Sequence, residues 1–266
     1  MPRSVRRTVF GRDPRAYDRY RLPYPAPLYQ RLSERCGLGP GCAVLEIGPG
    51  TGIATRELLR RGADPLVLVE ADPRLARFLR RELAPGSARL TVLNAPFERT
   101  RLAESSFDLA VAASSFHWLP PRRALRSIAR ALRPGGWWAS WNQHHGDPFR
   151  PSRFHQALQP LYRQLHGGRP PRPPDRRGAQ ADRARRIADL RAVGAFDRIR
   201  VEELRWDAHL STEHVTALWG TFSDVLTLPR PRRRWFLGEL GRLVDREFGG
   251  EATIPILTPL YTARRR

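Results

Sequence analysis

The stretch of sequence that decides the fold reads Val44-Leu45-Glu46-Ile47-Gly48-Pro49-Gly50-Thr51-Gly52, an apolar run followed by three alternating glycines. The apolar run predicts a buried strand, and a helical pattern begins directly afterwards at Ile53. Glycines in such a turn let a ligand approach the backbone, and the start of the helix offers free N–H groups. The stretch therefore predicts the first strand–helix unit of an α/β sheet with a ligand bound above it.

The acid at Glu46 limits what that ligand can be. A nicotinamide or flavin site would place its third glycine at position 53, where this chain has Ile53. A carboxylate two residues before Gly48 would repel a diphosphate, but it suits an ammonium group such as the methionine end of S-adenosylmethionine. We therefore disfavour a nicotinamide-dependent oxidoreductase. A tight turn without a ligand is the alternative, and three alternating glycines disfavour it.

A second acid closes the next apolar run. Glu70 follows Leu66–Val69, about 20 residues after the glycine-rich turn, where a carboxylate can accept hydrogen bonds from both hydroxyls of a ribose. Asp72 also lies there, but its position before Pro73 predicts a helix N-cap. The two acids together predict a nucleoside with a positively charged group.

Strand-like and helical segments alternate along the first half of the chain, which predicts a parallel α/β sheet. The predicted strands are 43–47, 66–70, 90–93, 107–113 and 137–141, and the helix 122–132 stops at Leu132-Arg133-Pro134-Gly135-Gly136. The second half predicts helices at 151–165, 182–193, 212–226 and 231–248, a loop at 167–178, and strands at 199–204 and 253–262. Pro255 and Pro259 argue against a central position for the last strand.

The composition is strongly basic, with a formal net charge of +21, and the sequence contains no lysine. Because the arginines are spread over almost every segment, we favour a general compositional bias over nucleic-acid binding, which stays open. Two cysteines, Cys36 and Cys42, predict neither a disulfide framework nor a metal site. No apolar run could cross a membrane, and no apolar segment follows Arg6-Arg7, so we expect a cytoplasmic protein without a membrane partner.

Several segments resemble class I S-adenosylmethionine-dependent methyltransferases of the type 11 kind. Asn94–Glu98 resembles the segment that reaches the adenine, Ser106–Trp118 resembles strand four with its loop, and Leu132–Gly136 resembles the turn before strand five. The similarity is greatest to the trans-aconitate methyltransferase-like branch. It is carried by the N-terminal residues Tyr17, Tyr20, Arg21, Pro23, Tyr24 and Pro25 and by the later segments Thr221–Asp224 and Thr258–Arg264.

The resemblance implies a Rossmann-like, doubly wound, seven-stranded and mostly parallel sheet with an antiparallel last strand. It adds an N-terminal helical lid and helical insertions in the C-terminal half. We expect one methyltransferase domain over 1–266, with the lid at 1–39, the cofactor-binding core at 40–142, and acceptor-pocket insertions and final strands at 143–266.

The resemblance also implies the cofactor contacts. Glu46 would bind the methionine end, Glu70 the ribose, and Ala71 would lie beside the adenine. Pro96 replaces an acid that many relatives use for the adenine amino group, so Phe97 would contact the ring instead. The complete predicted set is Tyr20, Glu46, Gly48, Pro49, Gly50, Thr51, Gly52, Glu70, Ala71, Pro96, Phe97, Glu98, Ala113 and Ser114.

Methyl transfer is an in-line displacement that needs alignment and water exclusion but no metal. His117, after strand four, is the candidate general base, although it could equally pack the following segment. Tyr17 and Arg21 are candidate acceptor contacts, Arg21 by pairing with a carboxylate. An ordinary amphipathic helix is the alternative for this N-terminal segment. His144-His145 could face the pocket or lie in a solvated loop.

We predict a small-molecule acceptor that is methylated on a carboxylate or hydroxyl oxygen. A nucleic-acid methyltransferase is one alternative, but Ala113-Ser114-Ser115-Phe116 lacks both the Asn/Asp-Pro-Pro-aromatic and the Pro-Cys motif of such enzymes. A non-catalytic cofactor-binding scaffold is the other. The sequence predicts no oligomeric state.

Overall fold

The computed structural model describes residues 9–83, 89–165, 167 and 176–266, and in that part of the chain all strands belong to one sheet. The strands are β1 (Cys42–Ile47), β2 (Ala63–Glu70), β3 (Leu90–Asn94), β4 (Phe107–Ala113), β5 (Leu132–Trp141), β6 (His144–His145), β7 (Phe196–Ser211) and β8 (Glu251–Arg265). Their order begins β3-β2-β1-β4-β5-β8 and is parallel through β5. β8 pairs antiparallel with β5, β6 and β7.

Helices cover both faces of the parallel part. They are α1 (Pro14–Tyr20), α2 (Ala26–Cys36), α3 (Ile53–Arg60), α4 (Pro73–Leu83), α5 (Pro121–Ala131), α6 (Arg153–Leu165), α7 (Arg176–Val193), α8 (Thr212–Gly220), α9 (Ser223–Leu226) and α10 (Arg230–Phe248). Adjacent residues of β1 point to opposite faces. Val44 packs in the cluster that includes residues of α2, α3 and α4, and Leu45 in the cluster that includes residues of α5 and α7.

A third apolar cluster lies where β7 and β8 extend beyond the end of β5. There Ala208 and Ile254 pack with Phe154 of α6, Trp219 of α8 and Phe236 of α10. The long β7–β8 pair therefore supports a C-terminal helical layer beside the carboxyl edge of the parallel strands.

The doubly wound, mostly parallel sheet with an antiparallel last strand is confirmed. β7 and β8 are longer than predicted, and the two-residue β6 makes an eighth strand. The predicted helix 212–226 divides at Thr221, whose backbone N–H and hydroxyl both bond to the Leu218 carbonyl. Of the predicted loop 167–178, residues 168–175 lie outside the described residues, and α7 already begins at Arg176. Whether 1–266 forms a single domain stays a prediction.

The expectation that its prolines keep the last strand from a central position was wrong. β8 lies between β7 on one side and β5 and β6 on the other. On the second side, β5 pairs with residues 260–264 and β6 with residues 256–257. Pro255 and Pro259 fall outside both pairings, so neither proline removes a hydrogen bond from that ladder.

Among the described residues, no helix is long and apolar enough to span a membrane.

Candidate functional site

One cavity of about 580 Å³ lies at the carboxyl edge of the parallel strands, the edge where ligands bind in open α/β sheets. Its volume is within the range of ligand sites, roughly 300 to 1,000 Å³. The predicted site residues that line it are Tyr17, Arg21, Gly48, Pro49, Gly50, Glu70, Ala71, Phe97, Ala113, Ser114 and His117. Those that do not line it are Tyr20, Glu46, Thr51, Gly52, Pro96 and Glu98.

The three glycines of the first turn serve different purposes, although all have positive φ. A Cβ on Gly48 would lie 2.7 Å from the Ser115 Cβ, and one on Gly52 would lie 2.6 Å from Leu83 Cδ1 in α4. A Cβ on Gly50 would have no neighbour within 4 Å. Gly50 therefore opens the turn toward the cavity, whereas Gly52 lets the turn pack against α4.

Glu70 is held in the cavity wall by backbone donors. The Gly50 N–H donates to Oε2 at 3.1 Å, and the Asp72 N–H donates to Oε1 at 2.8 Å. Burial raises the pKa of Glu70 to about 7. Asp72 accepts from the Arg74 N–H at 2.9 Å, which confirms its prediction as an N-cap. A fixed carboxylate at the end of β2 fits the ribose of the predicted cofactor.

Glu46 lies directly behind the glycine turn and is completely buried. The Thr55 hydroxyl donates to its Oε2 at 2.7 Å, whereas Oε1 has no partner in the structure. Burial raises the pKa of Glu46 to about 7. A buried carboxylate oxygen without a partner needs an explanation, and the ammonium group of S-adenosylmethionine supplies one. Glu70 in the cavity wall and Glu46 directly behind it therefore fit that cofactor.

Tyr20 and Pro96 do not line the cavity, but each supports a segment beside it. The Tyr20 hydroxyl donates to Glu213 at 3.2 Å, and the Tyr20 carbonyl accepts from His214 Nε2 at 3.0 Å, so Tyr20 connects the lid to α8. Pro96 precedes a short 3-10 turn that brings the buried Phe97 to the cavity wall.

The N-terminal segment closes the opposite side of the cavity. The Phe10 ring lies 5.7 Å from that of Tyr17 and 6.3 Å from that of Trp118, measured between centroids. The Arg21 guanidinium lies 4.9 Å from the Tyr17 ring centroid and 4.7 Å from that of Phe222. One of its terminal nitrogens donates to the Thr221 carbonyl at 3.1 Å, while Nε is buried without a partner. The Arg21 cation thus lies at the cavity between the rings of Tyr17 and Phe222.

Sequence reasoning left His144 and His145 undecided, and both line the cavity, where His145 is the one that contacts Phe222. His145 lies in β6, just beyond β5, and its ring centroid is 4.9 Å from that of Phe222. Its Nε2 is buried without a partner, and its carbonyl accepts from His155 Nε2 at 2.9 Å. Burial and the nearby Arg21 cation lower its pKa well below the usual histidine value. The one sequence feature that pointed to His145 as a cavity residue was its position directly after strand five.

His117 lies at the rim of the cavity, on the 3-10 turn Phe116–Trp118. It is exposed, its ring centroid is 4.6 Å from that of Trp118, and it also lines a second cavity of about 100 Å³ near α7. The general-base role of His117 stays a prediction, and so does the alternative that it packs the following segment.

Known methyltransferases resemble this chain in sequence and in structure. Residues 45–140 match the family model of a methyltransferase domain. An uncharacterized methyltransferase of Mycobacterium tuberculosis is 36% identical over 129 residues, which are 48% of this chain and 49% of the relative. A ribosomal RNA small subunit methyltransferase A of a Ruegeria species is 35% identical over 115 residues, 43% of this chain and 40% of the relative. The chain thus spans about half or less of the length of these relatives.

A solved structure from Anaeromyxobacter dehalogenans, described as that of a type II methyltransferase, has a TM-score of 0.64 at 23% identity. The alignment covers 93% of this chain and 98% of that chain, so the two share a fold.

Proposed function

We propose that this chain, whose residues 45–140 match a methyltransferase domain, is a class I S-adenosylmethionine-dependent methyltransferase that methylates an oxygen of a small molecule carrying an anionic group. The observation that supports this most is that one cavity is lined by Glu70 and Gly50 at one end and by Arg21 at the other. A cofactor bound at the first end would share an enclosed space with an acceptor bound at the second. S-adenosylmethionine is the cofactor of this class.

Each end of the cavity has a separate task. When bound, S-adenosylmethionine supplies an electrophilic methyl group on its sulfonium sulfur. Glu70 would accept from the ribose hydroxyls, and Glu46 Oε1 would accept from the ammonium group. Tyr17 and Phe222 shield the acceptor end from water. Enclosure and orientation of this kind are the main requirements of an in-line displacement.

Arg21 supports an anionic acceptor. Its guanidinium is fixed between two rings and by the Thr221 carbonyl, so little side-chain freedom is lost on binding. Its Nε–H is buried without a partner, and a carboxylate would satisfy that donor by a charge-assisted hydrogen bond. The closer similarity to the trans-aconitate methyltransferase-like branch stays a prediction.

Calorimetry with S-adenosylhomocysteine tests the cofactor end. We expect wild-type protein to bind it, and Glu70→Gln to bind about 10- to 100-fold more weakly, because the neutral amide loses the charge-assisted acceptor. The exposed Glu104→Gln is the matched control and should bind like wild type. No binding by wild-type protein would refute the proposal.

A screen of small acids with cofactor labelled in the methyl group tests the acceptor end. Transfer of label to an acid supports the proposal. Cofactor binding without transfer to any acceptor, small molecule or RNA, would favour the non-catalytic scaffold instead.

Methylation of RNA is a second candidate, favoured by the Ruegeria relative and by the net charge of +21. Retention on RNA with a steep dependence on salt, together with labelled RNA in the same assay, would replace the small-molecule acceptor. Retention that is lost at moderate salt and leaves the RNA unlabelled would exclude this candidate.

A further inference from the structure

The acceptor end of the cavity contains three buried polar atoms without partners. They are Arg21 Nε, Gln143 Oε1 and His145 Nε2, and all three residues line the cavity. Roughly 90% or more of buried polar groups in proteins are hydrogen-bonded, so three unpaired atoms on residues that line one cavity call for a common explanation. A polar ligand that carries both donor and acceptor groups is that explanation.

Strand order places His145 at the end of the site where methyl transfer would occur. The order β3-β2-β1-β4-β5 separates Phe97, which follows β3, from His145, which follows β5. Ala113 at the end of β4 pairs with Trp141 at the end of β5, and the Gln143 N–H donates to Ser114 Oγ at 3.3 Å. His145 is therefore on the side of the cavity away from the adenine.

We propose that His145 accepts the proton of an acceptor hydroxyl while Arg21 binds a carboxylate of the same molecule. The inference rests on the proposed function and narrows the acceptor to small hydroxycarboxylic acids. In the step, the hydroxyl oxygen forms a bond to the methyl carbon, and the bond from that carbon to sulfur breaks with its electron pair left on sulfur. The hydroxyl proton passes to a ring nitrogen of His145 and then to water.

The charges around His145 explain why one molecule must carry both groups. Arg21, His144 and His155 surround the ring, and Asp224 lines the same cavity. The ring is neutral near neutral pH, because burial and the Arg21 cation lower its pKa, so it is ready to accept a proton. An imidazolium beside an unpaired Arg21 would be repelled. A carboxylate on Arg21 cancels that charge and stabilises the imidazolium.

The experiment is a labelled-methyl assay on lactate and salicylate, each beside its deoxy acid, propionate and benzoate, with trans-aconitate as a further acid without a hydroxyl. We expect label in a hydroxy acid only. The label should survive mild alkali, because a methyl ether is stable there and a methyl ester releases methanol. A labelled deoxy acid, labelled trans-aconitate or alkali-labile label overturns the inference while the proposed function stands.

His145→Asn in the same assay tests the residue itself. We expect kcat for the labelled hydroxy acid to fall about 10²- to 10⁴-fold, as for loss of a general base, with unchanged affinity for S-adenosylhomocysteine. His209→Asn, an exposed histidine remote from the cavity, is the matched control. An unchanged kcat in His145→Asn overturns the assignment, and so does an equal fall of kcat in His209→Asn. If His145 is the base, the kcat of His145→Asn should recover in part as the pH is raised, because hydroxide then replaces the missing base.

Discussion

The two ends of the cavity are built in different ways. The cofactor end is made by turns that directly follow β1 and β2. Its carboxylates are held by backbone N–H groups or by a helix residue nine positions away. The acceptor end gathers Arg21, His145 and Phe222 from three distant parts of the sequence, held by ring packing and one carbonyl. One end is determined locally, the other by tertiary packing.

The two ends should therefore differ in how they respond to substitution. A strand–turn–helix unit orients its backbone donors as soon as it folds, so the cofactor end is preorganised. Substitutions in the lid or in the segment around Phe222 could change the acceptor end without disturbing β1 or β2. The predictions below test whether the two ends respond independently.

Among the variants discussed below, Arg21→Gln in the acceptor end should have the largest effect, and it tests whether the two ends are independent. We expect the KM for an anionic acceptor to rise about 10- to 100-fold, because a charge-assisted hydrogen bond is lost. Affinity for S-adenosylhomocysteine, measured by calorimetry, should stay as in wild type. Arg15→Gln, at an exposed arginine of α1 that does not line the cavity, is the matched control. If Arg21→Gln also lost affinity for S-adenosylhomocysteine, the two ends of the cavity would not be independent.

The cofactor end could be predicted from the sequence because its signals are short and local. Glu46, Gly50 and Glu70 lie next to the strands that position them, and alternation of apolar segments with helices is sufficient to predict the sheet. Gly52 differs from Gly50, because it does not line the cavity and a Cβ there would lie 2.6 Å from Leu83 Cδ1. A neighbour in a different helix cannot be read from the turn itself.

The acceptor end could be predicted only in part. The resemblance pointed to Tyr17 and Arg21, but nothing local shows that Phe222 lies against Arg21 or that His145 lies against Phe222. Those contacts depend on how β7 and β8 extend past β5 and carry the C-terminal helices, and both strands are longer than their patterns predict. Long-range packing decided these positions.

The pH dependence of cofactor binding sharpens the comparison further. Burial raises the pKa of both Glu46 and Glu70 to about 7, above their ordinary 4.5. Between about pH 4.5 and pH 7 the folded protein therefore binds more protons than the unfolded chain. The free energy of unfolding of the ligand-free protein should fall as the pH rises through this range. Cofactor affinity should change in the opposite direction, because the ammonium group and ribose hydroxyls favour the ionised carboxylates.

Calorimetry with S-adenosylhomocysteine measures this effect, and buffers of different ionisation enthalpy report the protons released. We expect affinity to rise by up to about tenfold per pH unit for each proton released, as pH increases toward 7. Glu46→Gln should remove part of the dependence, and Glu104→Gln should keep it. A flat affinity profile for wild-type protein would contradict the assignment of these carboxylates to the ligand.

The smallest effects that we predict come from two glycines of the same turn. Gly50→Ala and Gly52→Ala both place a side chain at positive φ, which costs about 1 to 2 kcal/mol. Gly52→Ala should lower the free energy of unfolding further, because its Cβ would meet Leu83, and Gly50→Ala meets no neighbour. Gly50→Ala should weaken cofactor binding, because the new methyl group projects from the cavity wall.

Denaturant unfolding and calorimetry at a temperature where both variants are folded separate these effects. The expected result is a crossed pattern: the greater loss of stability in Gly52→Ala and the greater loss of affinity in Gly50→Ala. Equal losses of affinity in both variants would mean that the whole turn, and not the surface of Gly50 alone, determines the cofactor end. The cofactor end would then depend on tertiary packing against α4 as well as on the local turn. It would differ from the acceptor end only in how much of it depends on tertiary packing.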